Sequence, residues 1–248
     1  MWLILCSAKD LPALWAYRGL TARGLSPVEL VTAESLAFAL KWEHRLNSHG
    51  VETRITLADG RVIESRRIKG TINRLTYIPV GHLGAFQEAD RAYAEQELFA
   101  LFASWLFGLP GPMLNPPTPQ GLCGAPRTRS EWVWLAARAG LPCPLYRQGA
   151  PAFSTAPRKG LIPEPRRLET VIVVNNRTTG AKVPPAISHG CINLSKLAGV
   201  SILGVDLSVD AEGGCSFADA TPAPDLRAGG EALIDALEEA LQTNGDPS

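Results

Sequence analysis

Residues 202–225 read ILGVDLSVDAEGGCSFADATPAPD. Two runs rich in β-branched and apolar residues flank Ala211-Glu212-Gly213-Gly214, and such a Gly-containing break between two strand-like runs predicts a hairpin. Outward from it, EALIDALEEALQ (231–242) has the spacing of an amphipathic helix, and TNGDPS (243–248) reads as a disordered tail. On the other side, ISHGCINLSKLAG (187–199) predicts a short helix, NNRTTGAK (175–182) a turn and LETVIVV (168–174) a strand. The stretch before that, RQGAPAFSTAPRKGLIPEPRR (147–167), holds four prolines and two glycines with no period, as a linker or exposed loop does.

The N-terminal half has a different rhythm. WLILCS (2–7) is a continuous apolar run, as in a buried strand. Pro12 opens a helical stretch that stops at Gly24, PVELVTA (27–33) reads as a second strand, and Glu34 to Leu46 as a helix with Leu36, Leu40 and Trp42 near one face. VETRITLADGRVIES (51–65) turns at Asp59-Gly60 as a hairpin, and IKGTINRLTYI (68–78) follows as a strand. EADRAYAEQELFALFASWLF (88–107) is the best helix of the chain, with Trp105 in its core-facing row and Asp90, Glu95 and Glu97 on a solvated face. Thr128 or Ser130 caps the next helix, EWVWLAARAG (131–140). The order β-α-β-α-hairpin-β is that of an α/β layer with a Rossmann-like start.

Composition bounds the function. Lys plus Arg equals Asp plus Glu, 24 each in 248 residues, and only short basic pairs such as Arg66-Arg67 and Arg166-Arg167 occur. A neutral chain has no global pull toward nucleic acid or an anionic membrane, so neither is expected as a partner. No apolar run has the length of a membrane span, and the apolar start lacks the basic flank of a signal peptide. The five cysteines, an odd number without a C-x-x-C pair, read as reduced thiols of a cytoplasmic protein. Neither G-x-G-x-x-G after the first strand nor G-x-x-x-x-G-K-[ST] is present.

Two segments together resemble the ATP-grasp superfamily, in particular the ribosomal-protein-glutamate-ligase-like and peptide-modifying members. INRLTYIP (72–79) followed by DRAYAEQELFALFASWLFGLPGPMLNPP (90–117) resembles their pre-ATP-grasp region: a strand ending in a basic residue, a D-x-x-Y-x-x-x-E helix and an "l-N-x-P" strand. AARAGLPCP (136–144) is similar to the family's "G-l-x-x-P" helix end, and residues 202–225 resemble its terminal strands. The resemblance implies a Rossmann-like pre-ATP-grasp layer over residues 1–145, a Pro-rich linker over 146–169 and a reduced ATP-grasp-like α+β domain over 170–242.

In that family an Asp and a Glu-x-Asn pair on neighbouring strands hold Mg2+ and ATP. The enzymes activate a carboxylate as an acyl phosphate, which an amine or thiol then displaces. Carried over, the metal positions are Asp206, Asp219 and Thr221, although on the residues alone these read as ordinary strand-end and turn polar side chains. Arg74 ends a strand whose C-terminal edge is where open α/β sheets place ligands, unless it makes a surface salt bridge. Asp225 and Arg227 either face the same cleft or cap the final helix. Arg74, Asp225 and Arg227 are thus the expected contacts for a small-molecule or peptide substrate.

The family's nucleotide-clasping subdomain has little room here. Residues 146–169 stand in its place, with Lys159 and Lys182 the nearest lysines. The resemblance therefore implies ligase ancestry with weak or lost ATP turnover. The alternative is a pseudo-ligase that binds a peptide or partner protein. A separate match, SHGCINL (188–194), resembles the L,D-transpeptidase signature and offers Cys191 and His189 as a nucleophile pair.

Overall fold

The computed structural model describes residues 1–48, 50–85, 87–146 and 167–243. Most of the expected linker 146–169, including Lys159, and all of the expected tail beyond Thr243 lie outside the described residues.

The first sheet is parallel. Its strands are β1 (Trp2–Cys6), β2 (Val28–Thr32), β6 (Gly70–Asn73) and β7 (Met113–Leu114), in the order β2-β1-β6-β7. Helix α1 (Leu11–Ala22) joins β1 to β2; Asp10 caps it, its Oδ1 accepting from the Ala13 amide at 3.0 Å. A second, antiparallel sheet has the order β3-β4-β5, with β3 (Lys41–Asn47), β4 (Gly50–Thr56) and β5 (Val62–Glu64). A third sheet, also antiparallel, has the order β11-β10-β8-β9, from β8 (Arg167–Val174), β9 (Arg177–Gly180), β10 (Ile202–Val209) and β11 (Cys215–Thr221).

The expected helix over Glu34–Leu46 is corrected. Helix α2 covers only Ala33–Ala37, and residues 41–47 form strand β3. The reason is tertiary. In KWEHRLN every second residue, Trp42 and His44, turns toward helix α3 (Glu88–Phe107). There the Trp42 ring meets Phe102 and Trp105 with centroids 5.3 and 5.4 Å away. His44 lies between the hydroxyls of Thr53 on β4 (2.7 Å) and Ser104 on α3 (2.9 Å). The turn expected at 175–182 likewise contains β9, which exists only by pairing with β8. The hairpins, α3 and the helix α4 (Arg129–Arg138) stand where the sequence places them; Thr128 and Glu131 cap α4 reciprocally.

Three apolar clusters stack these layers. The first fills the space between the parallel sheet and the third sheet with α1 and α6 (Gly230–Thr243), and includes Ile4, Ile72, Ile172, Ile202, Ile234 and Leu237. Gly19 lets α1 approach α6 closely, since a Cβ there would stand 2.7 Å from the Ile234 side chain. The second cluster lies on the opposite face of the third sheet, under α4 and α5 (Pro185–Ala198). The third packs α3 and the β3-β4-β5 sheet on the far face of the parallel sheet. No helix among the described residues is long and apolar enough to cross a membrane.

Two buried asparagines join the sheets. Asn115, just past β7, has φ of 62° and no exposed surface. Its side-chain oxygen accepts from the Ser201 and Ile202 amides (2.8 and 2.7 Å), and its amide donates to the Ile202 and Pro222 carbonyls (2.9 and 2.8 Å). Its own carbonyl accepts from Asn73 Nδ2 at 2.8 Å, and that amide also reaches the Leu122 carbonyl.

Two measurements follow from this packing. Asn115→Ala strips four backbone groups, two of them buried and two part-buried, of their hydrogen bonds and lowers unfolding free energy by about 4 kcal/mol in chemical denaturation. Burial also holds the His44 pKa below its ordinary value, so the unfolded chain binds that proton more readily than the native one. The stability from a neutral His44 is therefore complete at neutral pH and falls away as pH drops through about 6.5. His44→Gln removes this part of the acid slope in melts recorded across that range.

Candidate active site

The 202–221 hairpin places Asp206 of β10 directly opposite Asp219 of β11, with Thr221 opposite Gly204 on the same face. The register shifts immediately after this pair, so that Leu207 faces Phe217. This irregularity re-aims the strand beside the two carboxylates. Thr170 of β8, on the other side of Asp206, donates its hydroxyl to Asp206 Oδ1 at 2.6 Å and fixes that carboxylate. Asp219 is exposed and accepts from the Ala220 amide, while the Thr221 hydroxyl is occupied by the Ala223 amide at 3.2 Å.

Like charges directly opposite on neighbouring strands repel, and among the described residues neither Asp206 nor Asp219 has an ion-pair partner. Hard carboxylate oxygens in this arrangement suit a cation such as Mg2+. Asp206 and Asp219 are the two carboxylates the hairpin sets opposite each other, whereas the Thr221 hydroxyl caps its own turn. The described residues contain no group of three or more His, Cys, Asp or Glu side chains that could hold a metal.

Arg74 occupies a second position. It follows β6 at the C-terminal edge of the parallel sheet, where the chain passes from the β2 side of β1 to the β6 side. Ligands of open α/β sheets collect at such a switch point. The alternative of a surface salt bridge is corrected: Arg74 is only 4% exposed and forms a buried two-point pair with Asp10, at 2.8 and 3.1 Å. Its third nitrogen, Nη1, is buried and has no hydrogen-bond partner among the described residues. A guanidinium so fixed by one carboxylate retains a donor for a second anion.

Between the two positions runs the segment 222–229. Pro224 closes over Gly204, two residues along β10 from Asp206, where a Cβ would stand 2.5 Å from it. Asp225 caps the following 3-10 turn and grips Arg227 through both carboxylate oxygens. Those bonds from Arg227 hold the Asp225 carboxyl below its usual range against the effect of burial, and Arg74 adds a smaller pull. Asp225 and Arg227 therefore satisfy each other in this structure.

Further along the chain, Tyr77 and Ile78 join Phe99, Leu122 and Cys123 in walling a cavity of about 440 Å3. Tyr77 donates to Glu34 at 2.7 Å. Burial pushes the Glu34 carboxyl up, but its bonds from Tyr77 and the Ala8 amide outweigh this and leave it below the usual range.

The nucleophile pair Cys191 and His189 is overturned. Both sit in α5, two residues apart, so they point to nearly opposite sides of the helix. Cys191 has no exposed surface, burial drives its thiol up to about 12, and no hydrogen bond links it to the exposed His189. The motif is a packing pattern. Gly190 lets Leu141 approach, Cys191 fills the core beneath the sheet, and Ser188 bonds Thr178 at 2.8 Å.

Sequence reading missed Asn73, Asn115, Thr170 and Asp10. For the asparagines the only local signals were the INR and LNPP motifs, which name them without revealing their partners.

No family model and no curated protein sequence matches the chain. Solved structures do. The chain is similar to the macrocyclase MdnC of Microcystis aeruginosa MRC bound with the precursor peptide MdnA, at 12% identity over 98% of this chain and 100% of that one, TM-score 0.68. It is also similar to the ATP-grasp ligase PsnB complexed with a phosphomimetic variant of its minimal precursor, Mg and ADP, at 17% identity over 96% and 98%, TM-score 0.69. A third is the RiPP-associated ATP-grasp ligase of Chryseobacterium gregarium in complex with ADP and a leader and core peptide, at 12% identity over 98% and 94%, TM-score 0.64.

The thiol environments yield a direct check. Cys6 and Cys123 are, like Cys191, buried and pushed up, to about 12 and about 11. In the native protein a thiol reagent at neutral pH labels the part-exposed Cys143 and Cys215 first, with Cys6, Cys123 and Cys191 reacting only on unfolding. Fast native labelling at Cys191 would contradict the helix assignment.

Proposed function

We propose that this chain, whose fold is that of the ATP-grasp superfamily, acts in peptide modification, binding a peptide or small carboxylate with ATP turnover weak or lost. The observation that carries the reading is the unpaired cross-strand pair Asp206 and Asp219 beside the Thr170 hydroxyl. When bound, Mg2+-ATP supplies a phosphoryl group that activates a carboxylate toward an amine or thiol.

The chain's own residues would do the following. Asp206, oriented by Thr170, and Asp219 offer oxygens to the cation. Arg74, locked by Asp10, holds a positive charge at the C-terminal edge of the parallel sheet that draws an anionic group of the substrate toward it. Asp225 and Arg227 stand on the segment joining these two positions and contact whatever spans them. The apolar cavity beside Tyr77 and Phe99 receives a side chain of the same ligand.

Weak or lost turnover, and with it the pseudo-ligase reading, is favoured by what separates α4 from β8. Only residues 139–166 do so, where the resemblance implies a whole nucleotide-clasping subdomain. Thr221 in place of a third strong ligand points the same way.

Titration calorimetry with ATP in the presence of Mg2+ tests the reading. Weak, Mg2+-dependent binding is expected, reduced about tenfold or more by Asp206→Asn combined with Asp219→Asn. A second readout uses no nucleotide: Mg2+ alone raises the thermal midpoint of the wild-type chain and leaves that of the double variant unmoved. If both proteins respond alike in the two measurements, the carboxylate pair is not a metal site.

A further inference from the structure

The cavity walled by Tyr77, Ile78, Phe99, Leu122 and Cys123 also has Glu95 in its lining, the one charged side chain among the described residues that form it. Glu95 and Phe99 lie one turn apart on α3, so they stand side by side on the same face of the helix. Tyr77 and Ile78 belong to the segment that leaves β6, Leu122 and Cys123 to the segment that leaves β7. These strands are parallel neighbours, and both segments depart from their C-terminal ends, the edge where open α/β sheets bind ligands.

The far wall is fixed in advance. The Leu122 carbonyl accepts from Asn73 Nδ2 at 2.6 Å and the Cys123 thiol donates to the Asn73 carbonyl at 3.3 Å, which ties that wall to the residue before Arg74. The turn leading into it is closed by the Thr118 amide on the Gly121 carbonyl at 2.7 Å and by the Gly124 amide on the Pro116 carbonyl at 3.1 Å. A wall already ordered costs little to bind against.

Glu95 is half-buried and has no hydrogen-bond or ion-pair partner among the described residues. The two arginines nearest in sequence to the lining are engaged elsewhere. Arg91, one turn earlier on α3, donates to the Gly84 carbonyl at 3.4 Å. Arg127, next to the lining Pro126, donates to the Ala198 carbonyl at 3.1 Å and lies over the Trp132 ring. A lone carboxylate in an otherwise apolar cavity is complementary to a group with an apolar stem and a cationic end.

We propose that this cavity takes a lysine or arginine side chain of the peptide, with its aliphatic stem against Ile78, Phe99 and Leu122 and its cation on Glu95. That the ligand is a peptide rests on the function proposed above; the preference for a cation rests on Glu95. A neutral side chain of equal length fills the walls but leaves the carboxylate without a partner, and an acidic one is repelled. The basic residue anchors the peptide and takes no part in bond making.

NMR titration of the full chain, without nucleotide or Mg2+, tests this with single amino acids capped by N-acetyl and N-methylamide groups. The capped lysine and arginine bind in about the millimolar range and shift the Leu122 and Cys123 amides, while capped norleucine and glutamate bind about fivefold or more weakly. Glu95→Gln lowers affinity for the basic probes about tenfold and leaves that for norleucine unchanged. Glu95→Arg reverses the order, so that the capped glutamate becomes the better ligand, and circular dichroism checks that both variants are folded. The Asp206→Asn, Asp219→Asn double variant takes up the basic probes as the wild type does, so failure of the metal site and failure of this cavity are read separately. Equal binding of lysine and norleucine, an affinity indifferent to Glu95→Gln, or no shifts at the cavity overturns the proposal. So does binding of n-butylammonium where the capped residues do not bind, since the occupant is then a free amine.

Discussion

The structure depends on one short strained residue. Asn115 adopts a left-handed backbone that costs free energy for any residue with a Cβ, and it does so where the parallel sheet ends and the third sheet begins. That conformation turns its carbonyl toward Asn73 and its side chain toward Ser201, Ile202 and Pro222. A buried amide can satisfy two donors and two acceptors at once, which no apolar side chain and no carboxylate can do. The position of β10, and hence of Asp206, relative to the end of β6, and hence Arg74, follows from that single side chain.

How much of this was legible depends on the range of the forces involved. The 202–221 hairpin, α3 and α4 were readable because turn glycines, caps and a helical period are local signals. Residues 34–46 were misread because Leu36, Leu40 and Trp42 fit a helical face on paper. In the fold Leu36 is buried, Leu40 is exposed, and the alternation of Trp42 and His44 beneath α3 wins. Asn73 and Asn115 could not be assigned from the sequence, since their partners lie on backbone groups far along the chain.

The candidate site shows the same division. Asp206 and Asp219 were brought together by the predicted hairpin, and the register confirms that they face each other. Arg74 was placed correctly at a sheet edge, but its burial and its lock on Asp10 belong to tertiary structure. The SHGC stretch teaches the converse lesson. Four residues that spell a nucleophile motif elsewhere are here dictated by helix crossing, core volume and a hydroxyl pair, and the same letters carry no reactive geometry.

The close crossing of α1 and α6 through Gly19 bears on the order in which the molecule can be made. Helix α6 comprises residues 230–243, yet its Leu233, Ile234 and Leu237 fill the space between the two large sheets. During synthesis the inner face of the parallel sheet and the apolar side of α1 must wait, uncovered, until that helix leaves the ribosome. The N-terminal layer thus cannot mature alone. Assembly waits on a segment translated long after α1, and the interval before it arrives is when the nascent chain is most open to wrong partners.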